Sequence, residues 1–390
     1  MGIYLDHAAT TYTDKTVFDA MRPYFEDYFG NTSSQHGFGR AAEKAVLTAR
    51  TQVASLIGAD PADIYFTSGG TESDNWAVKG VAEAAGSGHI ITSAVEHHAV
   101  LDTCKYLRSR GFDVTYLPVD GKGRVNPDDV EKAVRPDTIL ISIMTANNET
   151  GTIMPIAEIG RIARLRDVLF HTDAVQAVGH IPLHVGELDV DMLSLSAHKF
   201  YGPKGVGALY VRGGISLAKF MHGGGHEKDM RAGTLNTPGI VGLGAAAGLA
   251  QSDMDKHAAH EAALSKKLAD ALLELPETQL NGDAAGKLPG HVNISFGGIE
   301  GEALLTHLDL DDIAVSTGSA CSSGSPKPSY VLMAMGLSTE QARGAVRITL
   351  GRDNTDVEID EAIEKITASV TRLQALSPLF AQRRDKGTFV

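Results

Sequence analysis

The 390-residue sequence predicts an α/β fold: a mostly parallel central sheet covered by helices, with a smaller α/β C-terminal domain. Three observations predict it. Short apolar runs alternate with helical stretches from about Pro61 to Val211. Residue types that carry chemistry collect where those runs end, which is where parallel sheets gather ligands. After about Asp255 the texture changes to a second, shorter set of helices and strands. The expected division is a large domain over 12–255 and a small domain made of 1–11 and 256–390.

In chain order, strands are expected at Ile64–Thr67, His89–Thr92, Asp113–Leu117, Thr138–Ile143, Leu169–His171, Met192–Leu195 and Gly207–Val211. Each is a short apolar run of strand length. Helices are expected between them at Ser73–Ala85, His97–Arg110, Asn126–Val134 and Ile156–Arg166. The Gly-Ala-rich stretch Gly239–Ala250 is too short and too polar at its flanks to span a bilayer, and reads as a closely packed helix. Beyond it come a helix at Glu261–Leu275, a strand at Val292–Phe296, a helix at Gly301–Leu308, strands at Ile313–Val315 and Ala345–Leu350, and a last helix at Asp356–Leu376. A short polar tail with Arg383, Arg384, Asp385 and Lys386 follows.

The formal net charge of −13 argues against a nucleic-acid or anionic-membrane partner, because phosphate contacts need a basic surface. Met1 to Asp6 shows no basic region leading into an apolar core, so no secretory signal is expected, and the location read is cytoplasmic. The two cysteines are too few for a disulfide framework, which fits a reducing compartment. Cys104 lies in a helical pattern and reads as packing. Cys321 lies in Thr317-Gly318-Ser319-Ala320-Cys321-Ser322-Ser323-Gly324, where nothing can pack a core. It reads as one thiol presented on a mobile, solvent-facing loop.

Lys199 follows an apolar run in Ser194-Leu195-Ser196-Ala197-His198-Lys199 and precedes a glycine-proline turn. Alone it reads as a surface lysine, the commonest kind. Asp173 changes that, because it too closes a short strand, in Leu169-Phe170-His171-Thr172-Asp173. A strand-end aspartate and a strand-end lysine form the pairing that pyridoxal 5'-phosphate (PLP) needs. The carboxylate keeps the pyridine nitrogen protonated and the amine forms an imine. Thr67-Ser68-Gly69-Gly70-Thr71 follows a strand and opens a helix, a place where free N–H groups bind phosphate or where a simple capped turn sits. It is not a Walker loop, since no Gly-Lys-Ser/Thr follows. His97, after another strand end, is placed to stack on a flat cofactor, or else is a structural histidine. His222-Gly223-Gly224-Gly225-His226-Glu227 is not read as a metal site, because three glycines support ligands poorly and no further His/Cys set lies nearby. No metal is expected.

Leu5-Asp6-His7-Ala8-Ala9-Thr10-Thr11, Gly30-Asn31-Thr32-Ser33-Ser34-Gln35-His36, Thr67 to Ser73, Asn147-Asn148-Glu149-Thr150-Gly151, Ser196 to Gly205, Gly223 to Glu227 and Gly318 to Ser323 occur in this order. Together they resemble the PLP-dependent cysteine desulfurases of the aminotransferase class V family, over essentially the whole chain. The resemblance implies a fold-type I PLP enzyme, a homodimer, that converts L-cysteine to L-alanine. It implies that Lys199 carries the cofactor, Asp173 pairs with the pyridinium, Gln176 bonds the ring hydroxyl and His97 stacks on the ring. Gly70, Thr71, Ser196 and His198 are implied to hold the phosphate, with Thr234 supplied by the other subunit. Asn148 and Arg347 are implied to hold the substrate carboxylate, and Cys321 to take the sulfur as a persulfide for acceptor proteins such as an iron–sulfur scaffold.

The chemistry is consistent with those assignments. An arginine fork suits a carboxylate. A free thiol has a pKa of about 8.5, so Cys321 needs an activating neighbour near neutral pH. Two departures from the family pattern stand out: Gly70 where an alanine is more usual, and a short tail where housekeeping members carry a longer one that docks the scaffold. The alternatives are a selenocysteine lyase or a class V aminotransferase, and Cys321 favours the desulfurase because a transaminase has no use for that thiol.

Overall fold

The computed structural model of the chain describes residues 2–317 and 327–386. Its centre is a seven-stranded sheet in the spatial order Ile64–Thr67, Gly207–Val211, Met192–Ser196, Leu169–Asp173, Thr138–Ser142, His89–Ser93, Asp113–Leu117. All neighbours run parallel except Gly207–Val211, which is antiparallel to both of its partners. The strands His89–Ser93, Met192–Ser196 and Gly207–Val211 are buried at every position, which is why they read as apolar runs rather than alternations.

Register brings the strand ends together. Asp173 pairs with Ser194, Ser196 with Gly207, and Gly207 with Thr67. Because one reversed strand separates them, Thr67 and Ser196 close their strands on the same edge of the sheet. Glycine is required at this corner twice. Gly69 has φ of 152°, open only to glycine, and a Cβ on Gly207 would stand 2.7 Å from the Gly69 Cα.

A second core lies apart from the first. It is built from Leu268, Phe296, Ile348 and Ile366, together with Ile3 and Leu5 from the start of the chain. Ile3–Tyr4 pairs in parallel with Ile313–Ala314, and an antiparallel sheet joins Ala345–Thr349, His291–Phe296 and Thr278–Leu280.

The structure departs from the expected elements in several places. The stretches Gly239–Ala250 and Glu261–Leu275 are one 37-residue helix, Thr237–Leu273. Gln251 to His260 contains no glycine or proline, so nothing stops the helix between them. The strand Thr278–Leu280 was not foreseen, since three residues are too few to show a period. The last long helix does end at Leu376, but Pro378–Lys386 forms a further helix, with proline at a position where its missing N–H costs nothing. The helices Lys15–Met21, Pro23–Glu26 and Gly37–Ile57 were also not read from the sequence. No helix among the described residues is long and apolar enough to cross a membrane.

The long helix packs against Gly37–Ile57 through its glycines. A Cβ on Gly244 would stand 2.5 Å from the Ala49 Cα, which is backbone and cannot swing aside. Gly244→Ala should therefore cost about 1–3 kcal/mol, the usual range for overpacking. Denaturant unfolding checks this, and an unchanged midpoint would rule out the close approach.

Candidate active site

A cavity of about 190 Å³ opens at the carboxyl edge of the central sheet. Lys199 stands on its wall. The strand Met192–Ser196 ends three residues before it, and a single 3-10 turn, Ala197–Lys199, carries the lysine beyond the strand. Its Nζ donates to the carbonyls of Ala8 at 2.5 Å and Ala9 at 2.9 Å. Gln176 Nε2 donates to the same Ala8 carbonyl at 3.0 Å. The backbone of the first residues thus reaches across from the second core to line up with the lysine.

Asp173 is buried and lines the same cavity, and the Val175 N–H donates to its Oδ1 at 2.9 Å. Burial raises its pKa, while the nearby His97 and Lys199 pull it back down. His97 caps the helix His98–Ser109, its Nδ1 accepting from the Ala99 N–H at 3.2 Å. That bond leaves the proton of the neutral ring on Nε2. Burial lowers the His97 pKa and the Asp173 charge opposes the shift.

Gly70 and Thr71 form the first turn of the helix Gly70–Ala85, which has no side-chain cap. Its leading N–H groups are thus available to an anion in the cavity. Ser196 and His198 complete this wall, and a shallower space lined by Thr10, Ser68, Lys204 and Gly205 adjoins it. His198 Nδ1 lies 3.1 Å from the Thr10 hydroxyl, and burial with Lys199 nearby pushes its pKa down to about 4.

Asn148 also lines the cavity, and its Oδ1 is buried with no hydrogen-bond partner among the described residues. Arg347 stands behind it rather than on the wall. Its Nη1 donates to the Asn148 carbonyl at 3.0 Å and its Nη2 pairs with Asp6 Oδ1 at 2.8 Å. Its buried Nε has no hydrogen-bond partner among the described residues. Thr234 is exposed and does not line the cavity of its own chain. Cys321 lies outside the described residues.

Asp74, Met144 and Val175 line the cavity without having been singled out from the sequence. Asp74 was findable, since it stands four residues after Gly70 and therefore on the same helix face. Its carboxyl is buried beside Asp173, and burial together with that charge raises its pKa well above the ordinary value. Atoms of Asp74, His97 and Asp173 that could face a cation lie within 4.8 Å of one another. Two buried carboxyls side by side favour a bound positive charge.

Residues 3–362 match the aminotransferase class-V family. The chain belongs to that family. It is 50% identical to the cysteine desulfurase IscS of Methanosarcina thermophila over 380 residues, covering 97% of this chain and 94% of that one. It is 51% identical to the cysteine desulfurase IscS of Dictyoglomus turgidum over 379 residues, covering 96% of each. Among solved structures, a NifS-like protein superposes with a TM-score of 0.90 at 41% identity, covering 95% of this chain and all of that one. SspA in complex with cysteine superposes with a TM-score of 0.80 at 39% identity, covering 90% of this chain and all of that one. Identity of about one half along nearly the whole length places this chain among the cysteine desulfurases.

Under the site, His171 is fully buried between Ser142 Oγ at 2.9 Å and Ser194 Oγ at 3.0 Å. Burial pushes its pKa down to about 3. Below pH 6.5 the unfolded chain binds a proton here that the folded chain refuses, so stability falls as pH drops from about 6.5 towards about 3. His171→Gln should flatten that slope by up to about 1.4 kcal/mol per pH unit. Unfolding curves at several pH values measure it, and parallel slopes in the two proteins would contradict the assignment.

Proposed function

We propose that this desulfurase works with PLP in the cavity at the sheet edge and passes the sulfur of L-cysteine to Cys321 as a persulfide. The donor set supports the fit. An uncapped helix start suits the phosphate, two buried carboxyls suit a protonated ring nitrogen, and a half-buried amine stands beside them. When bound, PLP supplies an electron sink at the substrate α-carbon.

The chain's residues have distinct tasks. Lys199 bears the cofactor and moves protons at the substrate carbons. Asp173 holds the ring-nitrogen proton, Gln176 bonds the ring hydroxyl, and His97 packs on the ring with a proton at Nε2. Gly70, Thr71, Ser196 and His198 hold the phosphate, joined by Thr234 of the second subunit. Asn148 and Arg347 hold the carboxylate of cysteine. The Cys321 thiolate attacks the substrate sulfur. The carbon–sulfur bond breaks, and its electron pair with a proton leaves L-alanine, so that one cysteine and one thiol give one alanine and one persulfide.

The binding of cysteine by SspA, a structural relative, supports this choice of substrate. A homodimer is supported by exposed Phe18, Phe25, Phe29 and Phe38 on the N-terminal segments, an apolar surface that a monomer would leave in water. The persulfide serves a protein acceptor such as an iron–sulfur scaffold, in the reducing cytoplasm that a chain with two cysteines suits. The division into 12–255 and 1–11 with 256–390 is part of the same reading, and two separate cores support it.

Borohydride reduction followed by peptide mapping should place the pyridoxyl group on Lys199. Label on Lys204, or none, would overturn the cofactor reading. Cys321→Ser should stay yellow and still change its spectrum with L-cysteine, yet release almost no sulfide under reductant. Turnover at the wild-type rate would shift the reading to a lyase or aminotransferase. Cys104→Ser should behave as wild type, because burial pushes that thiol up to about 12. A monomer that keeps full turnover, seen by light scattering, would remove Thr234 from the site.

A further inference from the structure

We propose that Asp6 is a resident carboxylate that competes with the substrate's carboxylate for Arg347 and so sets how tightly cysteine and alanine are held. The proposal rests on Arg347 being the carboxylate-binding residue. Asp6 belongs to the Leu5-Asp6-His7-Ala8-Ala9 segment, none of whose side chains the reaction has yet used.

Three observations carry it. Arg347 Nη2 is taken by Asp6 Oδ1 at 2.8 Å, the bond an incoming carboxylate would form. The arginine stands behind Asn148 rather than on the cavity wall. Arg347 Nε and Asn148 Oδ1, one donor and one acceptor on adjoining residues, are both buried without hydrogen-bond partners among the described residues. Buried polar atoms left in this way are costly, and the carboxylate of a bound amino acid can satisfy the Arg347 donor.

Glu149 also neighbours Arg347, but its Oε2 accepts from the Ser329 hydroxyl, and the carboxylate paired with the guanidinium is that of Asp6. The arrangement sets a trade-off. A carboxylate from outside must win the fork from Asp6, and Asp6 recaptures the fork when alanine leaves.

The experiment uses the PLP-loaded protein, with L-alanine as the probe in calorimetry and L-cysteine in steady-state kinetics. Asp6→Asn should bind L-alanine about tenfold tighter, about 1.4 kcal/mol. Its KM for cysteine should fall, with kcat no higher than wild type. Asp6→Glu, which keeps the charge, should stay near wild type. The fold should survive, because Asp6 makes its structural bonds through its backbone: its carbonyl accepts from the Tyr4 hydroxyl and the Ala9 N–H, both at 3.0 Å. A merely structural role would instead weaken alanine and raise KM, and that result, or unchanged binding, overturns the proposal. Arg347→Ala separates the two levels. If it binds alanine as wild type does, the carboxylate assignment itself fails. If it loses alanine while Asp6→Asn gains nothing, only the competition fails.

Discussion

Asp74 and Asp173 lie buried side by side in one cavity at the carboxyl edge of the central sheet, and two like charges there need a cation or a proton. Much of the molecule serves that constraint. The strand Leu169–Asp173 carries one carboxyl to the edge, and the helix Gly70–Ala85 carries the other one turn below its uncapped start. The same helix start attracts anions while the carboxyls attract cations. A flat ligand with phosphate at one end and a protonated nitrogen at the other satisfies both. His171, kept neutral by burial, adds no cation that would relieve the pair from below.

The site also depends on backbone from a distant part of the chain. The Ala8 N–H donates to Thr349 Oγ1 at 2.9 Å, and the Thr349 N–H donates to the Leu5 carbonyl at 2.8 Å. These bonds fix the carbonyls of Ala8 and Ala9 that face Lys199, and the Asp6 carboxylate that faces Arg347. One short segment therefore touches the Lys199 amine and the Arg347 guanidinium together. Hydrogen bonds to a charged donor are stronger than neutral ones, so the segment is held at both ends of the site.

The centre of the sheet was legible in the sequence because strands such as Met192–Ser196 are buried on both faces. Apolar runs such as Met192–Leu195 show themselves without any alternation to decode. Asp173 and Ser196 were legible for the same reason, as polar residues ending apolar runs. Asp6 stood within a motif but showed no task, since its partner Arg347 lies far along the chain and no local spacing encodes that pairing. Asp74 looked like one more polar residue on a helix until the sheet supplied its neighbour. The helix Thr237–Leu273 was divided by its composition: apolar Gly-Ala in one half and charged residues in the other describe two surroundings of one rod. Cys321, read from the sequence as a thiol that no core could use, lies outside the described residues.

The pairing of the first residues with the last strand has a consequence for synthesis. Ala8 and Thr349 are 341 residues apart in sequence. At translation rates of about 5–20 residues per second, roughly 17 to 70 seconds separate the two on the ribosome. Ile3 must wait for Ile313, and Leu5 for Thr349, before their strand pairings can form. The lysine corner can be made early, but its carbonyl partners cannot be set until the last strand emerges. Completion of the cavity is therefore expected to wait for nearly the whole polypeptide, and a ribosome stalled before Ala345 would hold a central sheet whose site is still open on one side.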